Sequence, residues 1–211
     1  MKNYFLIFFQ PLLFFQIILL FTALDLSGQI DITDFKNGKT KICTSDGTGK
    51  SKGLKFQFKY PSAWNEYEAD RPNIAKKLGY RNGEIQAMVY VYKLNKYPSQ
   101  NEKKQILSEE GIKYLLSNPN YEYENVITSL NLKIDGEDAT SLAYEMKIKR
   151  LDQTALHKSL SYLIVYKDYQ VIISFGITTL DKDFDVQTTY LTYEPLFKLM
   201  ASSFVIISKY E

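Results

Sequence analysis

The side chains best suited to chemistry are few and scattered in this chain. Its 211 residues include one histidine, His157, and one cysteine, Cys43. A Ser-His-Asp arrangement could be assembled around His157, since Ser and Asp are plentiful. However, His157 falls in a run of alternating polarity, and no Gly-x-Ser-x-Gly elbow exists. It reads as a structural or surface histidine. Zinc sites draw on several His or Cys ligands, so one of each predicts no metal site. The carboxylate pairs Glu109-Glu110 and Glu122/Glu124 have the residue type that glycoside hydrolysis uses, but acids so close together on a helix or turn read as solvated surface. Ser45-Asp46-Gly47-Thr48-Gly49-Lys50-Ser51 ends in Gly-Lys-Ser. The full G-x-x-x-x-G-K-[ST] spacing is missing, and an alternating strand follows where a phosphate-binding loop needs a helix. This segment is predicted to be a loop. Cys43 reads as a small buried residue in a strand near Thr40–Thr44. The sharper reading, a reactive thiol, finds no Cys-x-x-Cys partner. The expectation is no catalytic residue, no cofactor, no metal and no enzyme.

Aromatic residues are the compositional excess, with 17 Tyr and 13 Phe. Strands favour aromatics, and tyrosine suits half-buried positions because its hydroxyl can stay wet. The functional counterpart is an exposed aromatic platform for a protein or sugar partner. Trp64, Tyr67, Tyr90 and Tyr92 sit around the Pro61 turn and the hairpin that follows it. Trp64, the sole tryptophan, is expected to be a buried anchor. Residues Asn65–Pro72 have neither strand nor helix periodicity and read as an exposed loop, where partners are commonly met. The candidate partner-binding residues are therefore Tyr67, Glu68, Asp70, Arg71, Tyr90 and Tyr92.

The elements that must position these residues follow from periodicity. Leu54–Tyr60 alternates strictly and predicts a half-buried strand stopped by Pro61. Ile74–Tyr80 and Ile85–Leu94 flank Asn82-Gly83, which predicts a tight two-residue hairpin. Ile85, Ala87, Val89 and Val91 then share one face, and Met88, Tyr90 and Tyr92 the other. Ser99 and Glu102 have capping-box spacing and open one helix that carries Ile106, Leu107, Ile112, Leu115 and Leu116, interrupted by Gly111 and ended at Asn118-Pro119-Asn120. Strands are predicted at Glu124–Ile134, Asp138–Arg150, Leu156–Lys167 and Tyr169–Thr179. Asp135-Gly136 and Lys167-Asp168 form tight turns and 151–155 a looser one, so these strands are antiparallel neighbours. Pro195 should lie near the start of a short helix, and Phe204–Ile207 should form a last strand.

The first ~28 residues have the pattern of a secretory signal peptide: Lys2, an apolar run over Tyr4–Phe21, and a small-residue end at Gly28. The run is also about long enough to span a bilayer as an uncleaved anchor. Residues 29–53 are polar and predicted to be flexible or partly ordered, followed by one domain over 54–211. With 26 basic against 24 acidic residues the net charge is +2, too little for a nucleic-acid footprint. One cysteine allows no internal disulfide. The expected location is the periplasm or the extracellular space.

Gly53-Leu54-Lys55-Phe56-Gln57-Phe58-Lys59-Tyr60-Pro61-Ser62-Ala63-Trp64 resembles the opening strand of PsbP-like domains. Phe197-Lys198-Leu199-Met200-Ala201-Ser202-Ser203-Phe204 resembles their closing helix. This group includes the Ran nucleotide-release factor and exported bacterial proteins of the DcrB type. The resemblance implies an α+β fold, an α/β/α sandwich around an antiparallel sheet of about six or seven strands. It also implies a non-enzymatic role, binding or stabilising another envelope protein. A small-ligand-binding domain with a pocket between sheet and helix is the alternative.

Overall fold

A computed structural model of the chain describes residues 28–117, 122–150, 153–181 and 183–211. The leader pattern (except Gly28), the Asn118-Pro119-Asn120 stop and Leu151-Asp152 of the looser turn lie outside them. Among the described residues the fold is α+β, with a seven-stranded antiparallel sheet and a separate two-stranded ribbon. The ribbon pairs β1 (Thr40–Asp46) with β2 (Lys55–Pro61). The large sheet contains β3 (Asn65–Tyr67), β4 (Ile74–Tyr80), β5 (Ile85–Lys93), β6 (Glu122–Ile134), β7 (Glu137–Arg150), β8 (Gln153–Tyr166) and β9 (Tyr169–Thr179). Their spatial order is β3-β4-β5-β9-β8-β7-β6.

That order follows from turn chemistry. Asp135, Gly136 and Lys167 hold positive φ, so β6–β7 and β8–β9 fold back through tight turns, and with β7 antiparallel to β8 the four strands form a meander. The meander starts at the far edge and ends beside β5, so the segment between β5 and β6 must cross one sheet face. That segment carries α2 (Gln100–Ile106) and α3 (Glu109–Leu115). The predicted capping box is present: Ser99 Oγ accepts from the Glu102 amide at 3.3 Å, and the Glu102 carboxylate accepts from the Ser99 amide at 2.7 Å. The single predicted helix is corrected to two. Ser108 opens a second cap by accepting from the Gly111 amide. A Cβ at Gly111 would lie 2.4 Å from the carbonyl oxygens of both Gln105 and Ile106. Glycine therefore marks the corner where the two helices meet.

The opposite sheet face carries Ile85, Ala87, Val89 and Val91, which pack with Val171, Ile173, Phe175 and Ile177 in the main core. It is covered by α4 (Val186–Ser202), the ribbon, and α1 (residues 28–36). Helices thus lie on both faces. Phe56 and Phe58 of β2 meet Phe204 at ring-centroid distances of 5.3 and 6.2 Å, which fastens the ribbon to the chain end.

Residues 29–53 carry more regular structure than their composition suggests, and three further expectations are corrected. Residues 29–53 are built of regular elements: most of α1, then β1, then a 3-10 turn at Gly49–Ser51. Tertiary contacts order this segment, for Asp31 on α1 accepts a hydrogen bond from Trp64 Nε1 at 3.3 Å. The β4–β5 hairpin exists, but its loop spans Arg81–Glu84, with positive φ at Arg81, Asn82 and Gly83. Pro195 lies inside α4, not near its start. Asp185 caps that helix through the Thr188 amide, and the buried row Tyr190, Tyr193, Phe197 and Met200 holds it to the sheet despite the missing proline N–H. Phe204–Ile207 forms no full strand; Val205 makes an isolated bridge to Gln57.

Candidate functional site

The sheet face crossed by α2 and α3 is more polar than the core face. By register it presents Met88, Tyr90 and Tyr92 on β5, Ile172 and Ser174 on β9, Ser159, Ser161 and Leu163 on β8, and Leu142 and Tyr144 on β7. The helix pair covers only part of it. Leu107 and Ile112 pack on Leu142, Leu163 and Val165, and the Leu107 carbonyl accepts a 2.7 Å hydrogen bond from Thr140 Oγ1.

Between α3 and the uncovered part of this face lies a cavity of about 220 Å³. Ile112, Leu115 and Leu116 roof it, and Leu142, Leu163 and Ile172 line its apolar floor. Tyr90, Tyr92, Tyr123 and Tyr144 form its sides. Tyr123 meets Tyr144 edge to face at 5.3 Å, a favourable aromatic geometry. Ser161 and Ser174 are the polar groups of the floor. Among the described residues the lining carries no charged side chain.

The serines form a compact hydroxyl cluster. Ser161 Oγ donates to Ser174 Oγ at 2.9 Å, and Ser159 Oγ donates to the Phe175 carbonyl at 2.9 Å. Ser159 Oγ also lies 3.1 Å from Ser174 Oγ and 3.3 Å from Ser161 Oγ. All three serines are buried.

The candidate residues divide into two groups. Tyr90 and Tyr92 line the cavity. Burial holds the Tyr92 hydroxyl above its usual pKa, and the Arg71 charge partly opposes that. Tyr67, Glu68, Asp70 and Arg71 are exposed and lie outside the lining. Tyr67 belongs to edge strand β3, not to an irregular loop, and its ring covers Gly79. The register from Tyr67 through Lys77 to Met88 puts Tyr67 on the cavity's face of the sheet. Ser161, Ser174, Tyr123 and Tyr144 were not singled out from sequence. For the serines the signal was Ser159-Leu160-Ser161, two serines at period two leading into the run Tyr162–Tyr166.

A second cavity, about 250 Å³, lies beside His157, Glu124, Glu145, Lys147, Lys158 and Phe184. Four of its charges pair with each other, Lys147 with Glu124 at 2.6 Å and Lys158 with Glu145 at 2.7 Å, and Asp185 is held by Thr188. Burial pushes the His157 pKa down to about 4, and its Nδ1 shares a 2.8 Å hydrogen bond with Thr178 Oγ1. The imidazole is therefore neutral at pH 7. The other candidate chemistry also has structural partners. Glu122 pairs with Lys149 across the strands at 2.9 Å, and Ser51 donates to the Thr48 carbonyl. Cys43 is fully buried, and burial pushes its thiol up to about 12. Among the described residues no His, Cys, Asp and Glu gather in a metal-binding group, and no helix is long and apolar enough to cross a membrane.

No family model matches the chain, and no curated protein matches it. Distantly similar solved structures include the following three. A Bacteroides thetaiotaomicron protein is 15% identical, with 80% of this chain aligned to 48% of that one and a TM-score of 0.43. This chain thus spans about half of that protein. LpqN of Mycobacterium tuberculosis, involved in cell envelope biogenesis, is 10% identical over 82% of this chain and 95% of its own, at a TM-score of 0.39. A Pseudomonas aeruginosa protein of unknown function is 10% identical over 78% and 94%, at 0.34.

Proposed function

We propose that this protein is a non-enzymatic binding domain that takes a small apolar ligand into the cavity between the sheet and α3. One observation carries the reading: a half-open space of about 220 Å³, walled by tyrosines and aliphatic side chains and lined by Ser161 and Ser174. Small-molecule sites have this composition, apolar walls with a few placed polar groups. The volume exceeds the roughly 150 Å³ apolar cavity that accepts benzene. It is smaller than the ~300–1,000 Å³ typical of drug-sized ligands. The ligand, or the part of it that enters, is therefore of one- or two-ring size. The leader pattern supports export, and the PsbP-like resemblance supports a role without catalysis.

A second reading rests on a different observation. Tyr67, Glu68, Asp70 and Arg71 are all exposed along the β3 edge, and Tyr67 shares the cavity's face. That arrangement suits a module that docks another envelope protein, with Tyr90 and Tyr92 at the border.

Ligand-observed NMR with neutral monocyclic aromatics tests the first reading. Leu115→Trp is the control, because it places a large ring from half-buried Leu115 into the space. Binding that Leu115→Trp abolishes is the expected result. Binding that survives it, in a folded variant, would put the site elsewhere. For the second reading, Tyr67→Ala with Arg71→Ala should leave the melting midpoint nearly unchanged and weaken capture of an envelope partner.

A further inference from the structure

The cluster of Ser159, Ser161 and Ser174 has one proton too few for its contacts. Four oxygen–oxygen approaches of hydrogen-bond length connect these hydroxyls and the Phe175 carbonyl. Three hydroxyls supply only three protons. The Phe175 carbonyl can only accept, so it takes the Ser159 proton. Ser174 must then donate to Ser159, and Ser161 donates to Ser174. All three protons are then spent within the cluster. The 3.3 Å approach of Ser159 to Ser161 is left without one. Ser161, at the head of the relay, lines the cavity with its lone pairs unused.

From this arrangement we infer that the cavity selects an uncharged ring compound carrying a hydrogen-bond donor, a phenol-type hydroxyl or ring N–H that donates to Ser161 Oγ. This deepens the ligand-binding reading above and rests on it. Charge is disfavoured because the described lining offers no counter-charge and burial of an unpaired ion is costly. A ring is favoured because Tyr90, Tyr92, Tyr123 and Tyr144 present aromatic faces and edges around the space. A donor is favoured over an acceptor for a counting reason. A donor uses a free Ser161 lone pair and leaves all three protons in place, whereas an acceptor must draw the Ser161 proton out of its 2.9 Å bond to Ser174 Oγ.

Phenol and anisole separate these terms, since both bring the same ring but only phenol donates. Affinities would be measured by ligand-observed NMR on the wild-type protein, Ser161→Ala and Leu115→Trp. Ser161→Ala leaves the Ser174 and Ser159 protons in place and removes one neutral hydrogen bond, so the domain should stay folded with a slightly lower melting midpoint. Phenol should bind wild type about fivefold more tightly than anisole, the worth of one neutral hydrogen bond of about 1 kcal/mol. That advantage should vanish in Ser161→Ala, and both ligands should be excluded by Leu115→Trp. Equal binding of the two to wild type, still blocked by Leu115→Trp, overturns the donor inference and keeps the pocket. A phenol advantage that persists in Ser161→Ala overturns it too, because another group then meets the donor. If neither ligand binds wild type, the ligand-binding reading falls and this inference falls with it.

Discussion

Trp64→Phe should expose how α1 is held to the domain. Trp64 is fully buried, stacks parallel to Tyr80 at 6.3 Å, and donates its Nε1 hydrogen to the Asp31 carboxylate at 3.3 Å. Burial raises the Asp31 pKa above its ordinary value, and the Trp64 hydrogen bond opposes that rise. Phenylalanine keeps much of the ring packing but removes the N–H. A hydrogen bond to a charged group contributes ~1.5–3 kcal/mol net. The ring atoms left unfilled add on the order of 1 kcal/mol. The loss at pH 7.5 is thus roughly 2.5–4 kcal/mol. The sign of the pH dependence follows from Asp31. A raised folded pKa means that ionised Asp31 weakens the fold, a burden absent below the unfolded value of 3.8 and fully present above the folded one. Without the N–H, the folded pKa moves higher still. Trp64→Phe should therefore cost more at pH 7.5 than at pH 3.5, where the carboxyl is largely protonated. Urea unfolding followed by circular dichroism at both pH values measures the difference, and Asp31→Asn in the Trp64→Phe background should remove most of it. An equal loss at the two pH values would refute this account of the latch.

Other expectations follow from single groups. Gly83 holds φ +88°, and a Cβ there has room beside Gln86, so Gly83→Val is penalised by backbone conformation alone. It should lose ~1 kcal/mol or more, read as a lower melting midpoint. Gly111→Ala would press its Cβ into two backbone carbonyls, so α2 and α3 must part. The expected loss is ~1–3 kcal/mol, with weaker phenol binding because α3 roofs the cavity. His157 has its folded pKa depressed to about 4 from 6.5, so its contribution is present above pH 6.5 and disappears as the pH falls towards 4. His157→Gln should flatten the acid limb of the stability profile between those values, and an unchanged limb would show that another group causes it.

Much of the sheet was legible because its signals are local. Strict alternation in Lys55–Tyr60, and the period of two in the extended run Ile85–Tyr92, fix which side chains share a face, whatever the rest of the chain does. Asp135-Gly136 and Lys167-Asp168 fix antiparallel neighbours, because a short turn cannot connect parallel strands. The burial of Trp64 was also readable, from its size and its place after an apolar strand. Its partner was not. Asp31 lies 33 positions away, in a polar segment whose own pattern gives no reason for order; packing against Trp64 and α4 supplies that reason. The break between α2 and α3 was half visible in Gly111, but only the approach of two carbonyls explains why glycine is required there. The candidate site was least legible. Tyr90 and Tyr92 advertise themselves as aromatics on the half-buried face. Ser161 and Ser174 are ordinary residues in sequence, and they become a hydroxyl cluster only because the β8–β9 register sets them opposite each other. Local composition determined the strands and their faces. Tertiary structure decided the pocket, because a cavity is the space left between elements distant in the chain, and no single stretch of sequence encodes it.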